Sequence, residues 1–108
     1  MTFETFYALT LDATEFSDPE AFAAECGGSI PEDLPVDQLL AILADVYAYA
    51  HDRSMATIRS MTDLNRSAFS RDYRIPIRTL ESWEAGVRAC PAYVLDLLAY
   101  AVINRSRD

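Results

Sequence analysis

The sequence predicts an all-α fold, a small helical bundle, on three observations. Apolar residues between Val36 and Ala50 recur at steps of three and four, helix start and stop residues punctuate the chain, and no useful run alternates apolar with polar as a strand would. With 108 residues, 51% of them hydrophobic, the chain can bury one core, so one small domain is the default. Five prolines and three glycines are too few for a low-complexity or collagen-like chain.

In chain order, Phe3, Phe6, Tyr7 and Leu9 predict a first short helix. Asp18-Pro19-Glu20 opens a second, because the aspartate can accept a first-turn N–H while proline has no N–H to leave unpaired there. Gly27-Gly28 ends it, and residues 29–35 with their two prolines read as a loop. Val36, Leu39, Leu40, Leu43, Val46, Tyr47 and Ala50 then form the apolar stripe of a long helix, with Asp37, Gln38, Asp45 and Asp52 largely off it. Ser54 caps a short helix with Met55, Ile58 and Met61 on one face, ending near Asp63. Asn65 caps the next, residues 66–73, in which Phe69 and Tyr73 point into the core. After a turn at Arg74-Ile75-Pro76, residues 77–84 form a helix that buries Leu80 and Trp83 and leaves Arg78, Glu81 and Ser82 toward solvent. Gly86 ends that helix, and Pro91 begins a last one in which Val94, Leu95, Leu98 and Val102 pack back on the pair.

The formal net charge of −8 is unevenly spread. Residues 1–53 hold eleven acidic residues and one arginine, a net of −10, whereas residues 54–108 hold six acids and eight arginines, a net of +2. This divides the chain into an acidic helical region, 1–53, and a mildly basic region, 54–108, that together could still form one compact domain. All nine basic residues are arginine, which can bond guanine edges or phosphates in bidentate fashion. The acidic half is expected to complete the core, form a dimer surface or hold a protein partner, with its charge turned away from any polyanion.

Several function classes find no support. The apolar runs Leu39–Ala50 and Ala92–Ile103 are shorter than the roughly 20 residues that span a bilayer and each contains an aspartate, so no membrane span is expected. The first residues lack the pattern of a secretory signal, and a cytoplasmic location follows as the expectation. Cys26 and Cys90 have no metal-like spacing and are read as structural thiols. His51 stands alone and reads as a solvated helix-end residue, while Glu32, Asp33 and Asp37 cap and solvate. Trp83, Tyr47, Tyr49, Tyr93 and Tyr100 read as core residues. With no nucleophile and base set together, neither catalysis nor a metal or cofactor is expected.

Two helices of about eight residues joined by a short turn, the second burying only a narrow stripe, suit a unit that crosses a phosphate backbone with one helix and inserts the other into the major groove. Small Ser70 lets the two helices cross closely, and Ile75 fills the gap before Pro76. The run Leu-Asn-Arg-Ser-Ala-Phe-Ser-Arg-Asp-Tyr-Arg-Ile-Pro-Ile-Arg-Thr-Leu-Glu-Ser-Trp-Glu-Ala-Gly-Val-Arg, residues 64–88, resembles the lambda-repressor and Cro-like, or XRE-type, helix-turn-helix family, antitoxin-like members included. The likeness extends over roughly residues 55–104. It implies a sequence-specific, homodimeric transcriptional regulator of double-stranded DNA, with half-sites about 34 Å apart.

The DNA-facing residues so implied are Arg66, Ser67, Ile77, Arg78, Thr79, Glu81, Ser82 and Arg88. Arg66 would contact phosphate or support a base contact, Arg88 would meet phosphate, and Arg78 could reach a guanine. Two positions depart from the family. Arg74 stands where a glycine is usual and needs a left-handed backbone, and Glu81 in the groove needs a cytosine amino group to bond. The alternative is an interaction protein of phage or mobile-element origin, an antitoxin or a DNA-mimic-like inhibitor, that binds a protein partner.

Overall fold

In a computed structural model that describes residues 1–105, all regular structure is helical. The α-helices are α1 (Phe3–Ala13), α2 (Pro19–Cys26), α3 (Val36–His51), α4 (Met55–Ser60), α5 (Arg66–Tyr73), α6 (Ile77–Ala85) and α7 (Ala92–Arg105), with one 3₁₀ turn, Gly27–Ser29, after α2. No helix among the described residues is long and apolar enough to cross a membrane.

Local chemistry sets most of the helix starts. Asp18 Oδ1 accepts the Glu20 N–H at 3.2 Å, Ser54 Oγ the Thr57 N–H at 3.2 Å, and Asn65 Oδ1 the Ala68 N–H at 2.9 Å. Each satisfies a first-turn donor that the helix itself cannot. Thr2 does the same for α1, accepting the Thr5 N–H, a cap not anticipated from the sequence.

Burial then joins both halves of the chain. Phe6 and Leu9 of α1, Phe22 of α2, Leu43, Val46 and Tyr49 of α3, Ile58 of α4, Phe69 of α5, Leu80 of α6 and Ile103 of α7 are all essentially inaccessible and belong to one hydrophobic cluster. Burying a side chain of this size stabilises the fold by about 1.5–3 kcal/mol, so the cluster is the main favourable contribution. Helices α1, α2 and α3 pack on one another, α7 lies against α1, α3 and α4, and α6 packs chiefly on α4 and α5.

Three expectations are corrected at this level. The buried face of α3 carries Ile42, Leu43, Val46, Tyr49 and Ala50, whereas Val36 and Leu40, assigned to the stripe, are 70% and 51% exposed. Apart from Asp37, Gln38 and Asp45, α3 is apolar almost all round before His51, so periodicity finds the helix without fixing which face its neighbours cover. Tyr93 is exposed in the first turn of α7, ahead of the part of that helix that reaches the core at Ala99, Val102 and Ile103. His51 is exposed as a residue but not merely solvated: its Nε2 lies 2.9 Å from the Ala13 carbonyl oxygen and its ring 4.2 Å from that of Tyr47, which ties the end of α3 to the end of α1.

Candidate nucleic-acid interface

The turn between α5 and α6 is built on Ser70. Its carbonyl accepts the N–H groups of Arg74 and Ile75, and its hydroxyl donates to the Ile75 carbonyl. Arg74 takes the left-handed conformation, φ 56° and ψ 42°, which closes α5 and turns the chain toward Pro76. An L-residue there is strained by roughly 1–2 kcal/mol relative to glycine, so the turn forms because Ser70 and the packing of Phe69 and Leu80 over-determine it. Pro76 precedes α6 with φ −53°, and Gly86 ends α6 with φ 75°, where a glycine carries no such strain.

Only Leu80 of α6 is fully buried, and Trp83 is half-buried beside it in the core. Ile77, Arg78 and Glu81 are exposed on the outward side, while Thr79 and Ser82, also expected on the DNA-facing side, are half-buried. The Ser82 carbonyl accepts the N–H groups of Val87 and Arg88, which folds the loop back and sets exposed Arg88 near the end of α6. Arg66 and Ser67 are exposed at the start of α5. An open cleft between the starts of α5 and α6 brings together Arg59, Asn65, Arg66, Ser67, Ile77 and Glu81. Arg78 and Arg88 stand outside that cleft, so the expected residues occupy two neighbouring stretches of surface.

Beneath the cleft lies a cluster that sequence reasoning missed. Glu84, its side chain only 4% exposed, takes Arg59 in a bidentate pair, Nε to Oε2 at 2.8 Å and Nη2 to Oε1 at 2.9 Å. Arg66 Nε also donates to Glu84 Oε1 at 3.2 Å, and Arg59 Nη1 donates to the Leu64 carbonyl at 3.1 Å. Hydrogen bonds from Arg59 in the first place, and from Arg66, hold the Glu84 carboxyl below the ordinary glutamate range against the opposing effect of burial. The partners lie 25 and 18 residues away from Glu84, beyond any local periodicity, and the one signal was a glutamate beside the inward-facing Trp83.

The remaining chemistry of the chain is modest. Cys26 and Cys90 are unbridged, and burial pushes both thiols up, away from nucleophilic use at neutral pH. No group of three or more His, Cys, Asp or Glu among the described residues could hold a metal ion. A short helix seated through one face, with an arginine and a glutamate outward and further arginines at its edges, can offer donors to anionic oxygens and to base edges. Comparison with protein-family models, curated proteins and solved structures finds no match to the chain.

Proposed function

We propose that the chain is a sequence-specific DNA-binding transcriptional regulator of the XRE type, which reads the major groove of double-stranded DNA with α6. The observation that carries this reading is the seating of α6: it is anchored through Leu80, bounded by a tight turn and a glycine stop, and leaves Ile77, Arg78 and Glu81 outward. A helix so mounted fits a major groove about 12 Å wide, and its arginine can bond guanine in bidentate fashion. The neighbouring exposed Arg66 and Arg88 supply the sequence-independent part of binding. Homodimerisation and a cytoplasmic location belong to the same proposal, and no catalytic activity is part of it.

Selection of bound duplexes from a random pool tests the reading directly. The expected result is a two-fold symmetric motif with half-sites about 34 Å apart. No enriched motif, together with no binding to any duplex at low salt, would overturn it.

One feature favours a second reading, that of a protein-binding antitoxin or inhibitor of phage or mobile-element origin. Exposed Leu40 lines a groove with Pro19, Glu20, Ala23 and Ala44, in the half of the chain that carries a net charge of −10. Co-purification with the product of a neighbouring gene, and its loss on Leu40→Arg, distinguishes this reading from the first.

A further inference from the structure

We propose that Glu84 is a positioning residue for DNA-backbone binding: by holding Arg59 and Arg66 on one buried carboxylate, it fixes the outer nitrogens of Arg66 at the lip of the α5–α6 cleft as a phosphate fork. This rests on the DNA-binding reading and adds to it a residue that touches no DNA itself.

The geometry follows from which donors are spent. Arg59 commits Nε and Nη2 to Glu84 and Nη1 to the Leu64 carbonyl, so it serves chiefly to orient the carboxylate. Arg66 commits only Nε, and its side chain is 51% exposed. Its two Nη groups have no protein partner among the described residues and share the cleft with Ser67 and with Asn65, whose Oδ1 accepts the Ala68 N–H. An arginine with one edge pinned and the other edge open presents a planar pair of donors to a phosphate with little rotamer freedom left to lose. Glu81 also lines the cleft, and its carboxylate keeps the local charge low and makes placement matter more than charge.

Charge and positioning predict opposite signs, which makes the proposal decidable. Glu84→Gln removes a negative charge beside two arginines, so a bulk electrostatic effect would tighten binding to a polyanion. Positioning predicts the reverse. The measurement is fluorescence anisotropy of a short labelled mixed-sequence duplex between about 50 and 200 mM salt, where phosphate contacts set the slope of affinity against salt. Glu84→Gln is expected to weaken binding by roughly tenfold and to make the slope shallower by about one phosphate contact.

Arg66→Lys supplies the second variant, at an exposed site on the first turn of α5. It keeps the charge but replaces the fork with a single ammonium, so it is expected to show a comparable loss of affinity at each salt concentration with little change in slope. It decides the matter if Glu84→Gln fails to fold. Wild-type binding with unchanged or tighter binding by folded Glu84→Gln, or unchanged affinity in Arg66→Lys, overturns the proposal. Absence of duplex binding by the wild type at low salt overturns the DNA-binding reading itself, and the positioning role with it.

Discussion

Arg74 and Glu84 show how differently single residues reveal themselves. Arg74 is conspicuous in the sequence because it follows Tyr73 where the end of α5 needs a left-handed residue, and its φ of 56° meets that requirement with a side chain that disfavours it. Arg74→Gly should therefore stabilise the fold by about 1 kcal/mol, offset in part by the greater freedom of glycine in the unfolded chain, and raise the urea midpoint. A lowered midpoint would mean that the arginine side chain makes a favourable contact outweighing the strain. Arg78 was equally legible as an exposed residue of α6, and under the proposed function Arg78→Ala should weaken specific DNA binding by about 1–3 kcal/mol in a titration against a selected operator. Glu84 was not legible, because its importance comes from partners on α4 and α5 that only the fold brings near. Its folded carboxyl titrates below the ordinary glutamate range, so its contribution to stability is fully present above the unfolded value of about 4.3 and is lost as pH falls through the lower folded value. The gap in urea midpoint between the wild type and Glu84→Gln should narrow as the pH is taken below that range, and a gap that stays constant would deny the pair its electrostatic contribution.

At the scale of elements, the ends of helices were more legible than their faces. An N-cap is a local event, one oxygen accepting from a residue two or three positions ahead, and Asp18, Ser54 and Asn65 all act as the sequence predicts. A face is defined by what packs against it, and on α3 nearly every direction is apolar, so assigning Val36 and Leu40 to the interior in place of Ile42 followed from counting alone. Substitution separates the two assignments cleanly. Ile42→Ala, at a site 2% exposed, should cost about 2–5 kcal/mol, whereas Leu40→Gln should change stability by no more than about 0.5 kcal/mol. Equal losses at both sites in chemical denaturation would return Leu40 to the core. The candidate interface inherits the same division. Exposed Ile77, Arg78 and Glu81 lie where local helix geometry put them, whereas half-burial of Thr79 and Ser82 depends on how α6 rolls against α4 and α5.

The whole molecule has a charge boundary near residue 53 but no matching boundary in its interior. Residues 1–53 carry a net charge of −10, yet Phe6, Leu9, Val46 and Tyr49 share one hydrophobic cluster with Ile58, Phe69, Leu80 and Ile103. Tyr49 also donates from its hydroxyl to Asp96 Oδ1 at 2.6 Å, and Arg53 lies 3.6 Å from the same oxygen, so α3 and α7 are joined by polar contacts as well as apolar ones. Helices α4 to α7 would expose much of their buried surface without α1 and α3, and a half-chain of this size has little core of its own to replace it. The two halves should therefore unfold together. Trp83, the only tryptophan, reports on α6 by its fluorescence, while far-ultraviolet circular dichroism reports on every helix, more than a third of whose residues lie in α1 to α3. In urea the two signals should trace one transition with the same midpoint, the behaviour of a small cooperative fold. Two separated transitions would instead show that the acidic half and the candidate DNA-reading half hold their structures independently, and the charge boundary would then mark a physical division of the chain.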